Sequence, residues 1–162
     1  MAANPPLDLV LTPLNGEGRT VQQWLTTFHL VLVALDPFTN ESAWVLETAA
    51  RVLTNYEEAD CRVAWVVAAT PDECRQFLGP WAQEILTFAD PDRDAVKALG
   101  LERLPALVHL GLDGTVINSA EGWDAYAWRA VTDELSRIMR WNRPVLPAMT
   151  DPAPFAGTPA TS

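Results

Sequence analysis

Leu30-Val31-Leu32-Val33-Ala34-Leu35-Asp36-Pro37-Phe38-Thr39-Asn40-Glu41-Ser42 is the stretch that decides the fold. Leu30 to Leu35 are apolar without interruption, the pattern of a central strand buried on both faces. Asp36-Pro37 ends the run, and Phe38 leads into a turn, Thr39-Asn40-Glu41-Ser42. The period then changes. Val45, Leu46, Ala49, Val52, Leu53 and Tyr56 share one face of a helix predicted from about Asn40 to Tyr56. Thr39 or Asn40 can cap that helix, and Glu41 suits the positive end of its dipole.

Upstream, residues 7 to 11 read as a short strand, Leu14 to Gly18 as a turn, and Val21, Trp24, Leu25 and Phe28 as a helical turn. Downstream, Arg62 to Ala69 is a second apolar strand. Thr70-Pro71-Asp72-Glu73 starts a helix, with Thr70 as cap, Pro71 at the first position and Glu73 completing a capping box. Cys74, Phe77, Leu78 and Trp81 form its apolar face. Ile85 to Phe88 is a short strand, and Asp90-Pro91 opens a helix that Gly100 closes. Ala106 to Leu112 and Thr115 to Ser119 form a hairpin through Asp113-Gly114. Asp124 to Met139 is the last helix. Beyond Arg140, prolines 144, 147, 152, 154 and 159 interrupt any regular period. The predicted organisation is a domain over residues 1–140 and a proline-rich tail or strap over 141–162. Alternating strands and helices followed by a hairpin and a covering helix make a mixed-sheet α/β fold.

A chain of 162 residues can bury roughly two-thirds of its unfolded surface, so it needs no disulfide or metal staple. The net charge of −10 repels phosphates, which argues against nucleic acid and anionic membrane as partners. The residues from Met1 to Pro6 lack the basic and apolar regions of a secretory signal. Leu30 to Leu35 is too short to span a bilayer. The expectation is a cytoplasmic protein without membrane insertion. His29 and His109 stand alone in sequence, and no ligand spacing points to a metal or another cofactor. Asp36, Asp90 and Asp92 read as turn and cap residues.

In order and spacing these pieces resemble the thioredoxin superfamily, on the redoxin side that holds peroxiredoxins and TlpA/ResA-type proteins. Leu14 to Val21 resembles the redoxin opening, and Leu30 to Phe38 the strand leading to the active site. Phe88 to Asp92, then Val96 to Gly100, then Leu104-Pro105, and the hairpin from Ala106 to Val116, resemble the corresponding later segments. The resemblance covers residues 7 to 140. It implies a thioredoxin-like mixed β-sheet flanked by helices, with the tail as an extension. It also implies a cis Leu104-Pro105 bond beside the active-site turn.

The departures bear on function. Thr39 and Ser42 stand where the resemblance places two catalytic cysteines, and Val33 where thioredoxins keep a buried acid. A hydroxyl cannot perform thiol–disulfide exchange, and an apolar side chain cannot move protons. Peroxiredoxins need a cysteine soon after Pro37, and none occurs before Cys61. Cys74, one turn into its helix, is the remaining candidate nucleophile, but it shares an apolar face and neighbours Asp72 and Glu73. Strand geometry keeps Cys61 and Cys74 too far apart for a disulfide.

The sequence therefore points to a redox-inactive protein that works by binding, as an accessory or assembly subunit with a protein partner or a second copy of itself. The resemblance implies a peptide groove over Phe38, Thr39, Asn40, Glu41, Ser42, Leu104 and Pro105. Trp141, Val145, Leu146, Met149 and Phe155 of the tail form a second expected contact. The rival expectation is an atypical thiol oxidoreductase or peroxidase using Cys74.

Overall fold

The computed structural model describes residues 2–161. The chain begins with β1 (Val10–Leu11), β2 (Arg19–Thr20), α1 (Val21–Trp24) and β3 (His29–Leu35). Next come α2 (Asn40–Trp44), α3 (Leu46–Asn55), β4 (Cys61–Val67), α4 (Pro71–Leu78) and α5 (Trp81–Glu84). The second half holds β5 (Leu86–Ala89), α6 (Asp94–Ala98), β6 (Arg103–Leu104), β7 (Ala106–Leu110), β8 (Val116–Glu121), α7 (Ala125–Met139) and β9 (Thr158–Pro159).

The main sheet has the order β5-β4-β3-β7-β8. β3, β4 and β5 run parallel, and β7 and β8 are antiparallel to their neighbours. β3 is central, which explains its unbroken apolar run. Val31, Val33 and Leu35 face one core with α3, α4 and α7. Leu30, Leu32 and Ala34 face the other with α1, α6 and Leu104. A strand covered on both faces has no position where a polar side chain meets water.

The outer edge of β5 is covered by the segment before the first turn. Leu14 N–H donates to Thr87 O at 3.0 Å and Ala89 N–H to Thr12 O at 3.2 Å, with Pro13 opposite Phe88.

Local chemistry explains the starts of α1, α4 and α7, where the cap side chain accepts from a first-turn amide. The Thr70–Glu73 capping box forms in both directions, at 3.3 and 3.0 Å. Replacing Thr70 by Ala leaves the Glu73 amide without its partner, and is expected to cost about 1 kcal/mol in urea denaturation. Several elements depart from their expected bounds. The first strand shrinks to β1, because only Val10 and Leu11 find a pairing partner in β2. The helix expected from Asn40 to Tyr56 breaks at buried Val45 into α2 and α3. Trp81 lies on α5, not α4, because Gly79 and Pro80 interrupt the helix. The helix expected at Asp90 starts at Asp94, and the Asp90 carboxylate caps it from four residues back, accepting from the Ala95 and Val96 amides at 3.0 and 3.1 Å.

Residues 141–161 fold back over the domain as a strap. Trp141 Nε1 donates to Asn55 O at 2.7 Å, and Asn55 Nδ2 to Asn142 O at 3.0 Å. Asp151 accepts two bonds from Arg51, each 2.9 Å, and one from Thr48 Oγ1 at 2.7 Å. Burial works to raise the Asp151 pKa, but the Ala148 amide, Thr48 and Arg51 outweigh it and hold it below the usual carboxylate value. Trp123 and Phe155 exchange two backbone hydrogen bonds of 2.9 Å, and β9 pairs with β6.

Candidate functional site

The turn after β3 is organised around Asp36. Its backbone N–H donates to Ser42 Oγ at 2.9 Å, and its carbonyl accepts from Thr39 Oγ1 at 2.9 Å. Oδ1 accepts from the Phe38 amide at 3.0 Å, closing an Asx turn. Oδ2 pairs with the Arg93 guanidinium at 2.7 Å. Ser42 is fully buried. Thr39 sits at the amino-terminal cap position of α2, yet its hydroxyl makes no cap bond. It is turned back to Asp36 instead, which corrects the expectation that it caps the helix. Asp36 is likewise the hub of the turn and an ion-pair partner, not a helix cap.

Both hydroxyls at the two candidate positions are thus held in the protein's own backbone. Exposed around the turn are Asn40 and two large aromatics, Phe38 in the turn and Trp44 at the end of α2. Phe38 is 67% exposed and Trp44 56% exposed. Phe38 overhangs a shallow hollow shared with Pro37 and with Glu73, Gln76 and Phe77 of α4. Trp44 meets the Phe155 ring edge-on, with 5.8 Å between centroids.

Leu104-Pro105 is cis, as is Leu146-Pro147 in the strap. Because Ala34 pairs with Ala106, Leu104 and Pro105 lie at the same end of the sheet as the Asp36 turn. Both are buried. The edge beside them is occupied by β9.

Cys74 is fully buried, and its thiol donates to the Val67 and Ala69 carbonyls at 3.9 and 3.6 Å. Burial pushes its pKa up to about 11, and Glu73 adds to the rise. Cys61 is also buried, with its pKa pushed up to about 11, first by burial and then by Asp60. Both cysteines are free. The helix start that could activate Cys74 is outweighed by desolvation, because the side chain points into the sheet and not along the helix axis.

The five tail residues expected at a partner contact divide. Trp141, Leu146 and Phe155 pack against the first core, while Val145 and Met149 are exposed. Three of these five apolar side chains are thus taken up by the strap's own domain.

Sequence reasoning missed Arg93, whose guanidinium bridges Asp36 and the carbonyl of Ala160. It also missed the contact between His29 Nδ1 and His109 Nε2, 2.9 Å apart. The two histidines are far apart in sequence, and only the β3–β7 pairing brings them together. Among the described residues no group of three or more His, Cys, Asp or Glu side chains converges as a metal site would. Nor is any helix there long and apolar enough to cross a membrane.

No protein-family model and no curated protein matches the chain. Solved structures do. A putative thioredoxin from Neisseria meningitidis is similar with a TM-score of 0.69 at 15% identity, over 86% of this chain and 92% of that one. Peroxiredoxin Q of Xanthomonas campestris gives 0.65 at 17% identity, over 83% and 96%. A hypothetical protein of Sinorhizobium meliloti gives 0.70 at 12% identity, over 99% and 93%. At such identities the likeness establishes architecture. The chain has the thioredoxin-like fold: a mixed five-stranded sheet flanked by helices, with the turn after β3 and a cis-proline loop at one end.

Proposed function

We propose that the protein is a redox-inactive thioredoxin-fold protein that acts by binding another protein, as an accessory or assembly subunit. The observation that carries this reading is the Asp36 turn. Thr39 and Ser42, which the sequence resemblance sets at the positions of a reactive thiol pair, carry hydroxyls, and both are bonded into the turn's own backbone. A group engaged in that way is scaffolding for the turn, which presents Phe38 outward, with Trp44 exposed at the end of α2. Large exposed aromatics on a rigid element are typical anchors of protein contacts. Val145 and Met149 of the strap are further exposed apolar side chains that a partner could engage. The net charge of −10 favours a partner face that is neutral or basic.

The test is affinity purification of the full chain from its native cells, with co-purifying chains identified and quantified by mass spectrometry. A stoichiometric protein partner is expected. Phe38→Ser with Trp44→Ser is expected to lower its recovery at least tenfold, an energy of about 1.4 kcal/mol or more, with the circular dichroism spectrum unchanged. Undiminished recovery would remove the turn from the contact, and recovery of no partner at all would remove the reading. The same reading keeps the protein in the cytoplasm, which cell fractionation tests.

A further inference from the structure

The strap ends in a strand seated beside the cis-proline loop. Thr158 lies opposite Leu104 and Pro159 opposite Arg103. Ala160 N–H donates to Glu102 O at 2.9 Å, and Thr158 Oγ1 to Leu104 O at 3.4 Å. Ala160 is fully buried among residues of the second core. The Arg93 guanidinium holds Ala160 O with one nitrogen and Asp36 Oδ2 with the other, so a single side chain ties the strap to the turn.

The fit is close at two glycines. A Cβ on Gly157, where φ is +88°, would lie 2.7 Å from Leu104 O. One on Gly122, where φ is +74°, would lie 2.6 Å from Ala156 O. Two backbones approach here to a distance that no other residue type permits. Residues 158–160 therefore sit as an extended peptide sits in a strand-adding site, with Gly157 as the bend that leads into it. Main-chain pairing holds them, and a few positions demand small residues.

We propose that residues 157–160 are a built-in occupant of the protein's peptide-binding edge, and that a partner docks there by strand exchange. This rests on the binding reading above. The partner would contribute an extended segment with a glycine at the position of Gly157 and a small apolar residue three positions later, like Ala160. The strap is tethered, so it competes at an effective concentration on the order of millimolar. A partner's apparent affinity is reduced by the fraction of molecules whose edge is closed. Lifting the strap, by contacts at Val145, Met149 or Trp44, would open the edge.

The experiment uses the full chain and two variants, Gly157→Val and Ala160→Glu. The first clashes with Leu104 O, and the second cannot bury its charge. Both changes lie in or beside β9, which pairs only with β6 outside the five-stranded sheet, so the strap can lift from an intact body. The probe is a fluorescein-labelled synthetic peptide of residues 153–161, with binding read by anisotropy. Strap release is read by hydrogen exchange at the amide of residue 160. Both variants are expected to keep the wild-type circular dichroism spectrum, lose protection at that amide, and bind the peptide at least tenfold more tightly than wild type. Released variants that bind the peptide no better than wild type would overturn the proposal, as would straps that stay protected in both variants. A wild-type dimer in light scattering, held by straps exchanged between copies, would overturn intramolecular occupancy. Failure here while a Phe38- and Trp44-dependent partner is still recovered would remove strand exchange alone. Tight peptide binding with no partner recovered would remove the binding reading and leave the occupied edge standing.

Discussion

Native protein treated with iodoacetamide at pH 7.5 is expected to keep the Cys74 thiol while the urea-unfolded chain loses it, with rates at least a hundredfold apart. Alkylation proceeds through the thiolate. A thiol pushed up to about 11 has roughly a hundredth of the thiolate of an ordinary one at this pH. Cys74 is also fully buried and donates to two carbonyls, so the reagent has no line of approach without local opening. Mass spectrometry of a quenched time course measures both rates. A Cys74 that reacts natively as fast as in urea would revive the thiol-enzyme reading and weaken the one proposed. Cys74→Ser is correspondingly expected to leave partner recovery unchanged.

The second large effect is on stability against pH. His109 is fully buried on β7, and burial, with the neighbouring His29 second, lowers its pKa to about 4. His29 is lowered too, chiefly by burial. The carboxylates facing the pair are Asp113 towards His29 and Glu134 towards His109, and both act against the shift without overcoming it. His109 Nδ1 has no hydrogen-bond partner. The arrangement that leaves no buried N–H unpaired puts the shared proton on His109 Nε2, donating to His29 Nδ1, with Nδ1 of His109 bare.

Above the ordinary histidine value of 6.5 both states are neutral, and the pair costs nothing in linkage. Between 6.5 and about 4 the unfolded chain takes up a proton that the native one refuses, so stability falls as pH falls. The expected loss from His109 alone is about 2 kcal/mol by pH 5 and about 3 kcal/mol by pH 4. Urea denaturation from pH 7.5 to 4.5 measures it, and His109→Leu should flatten most of the slope. A wild-type curve level across that interval would show that the pair is protonated in the native state.

The architecture was legible in the sequence because its central strand is buried twice over, and a buried strand must be apolar at every position. Leu30 to Leu35 meets that condition, and the parallel neighbour Cys61–Val67 nearly does. The Thr70–Glu73 box was legible for a different reason, since its partners are three residues apart. Where interactions close over long separations, sequence periodicity carried no signal. Arg93 reaches Asp36 and Ala160, Asp151 reaches Arg51, and His29 reaches His109 only after the sheet has formed. The break at Val45 was hidden because α3 alone accounts for most of the helical stripe from Val45 to Tyr56. The hydroxyls of Thr39 and Ser42 were visible at once, but the inward turn of Ser42 to the Asp36 amide was not. The strap showed the same limit. Its apolar residues were evident, but not which of them would face its own domain.

The segment laid along β5 has a consequence for colloidal behaviour. A terminal strand with a free row of amides and carbonyls is a template on which sheets of neighbouring molecules grow into fibres. Here Thr12 and Leu14 take up hydrogen-bonding groups of that row. The residue between them is Pro13, which has no N–H to offer the next chain. The molecule thereby carries its own terminator against lateral growth, built from a stretch with no regular secondary structure of its own.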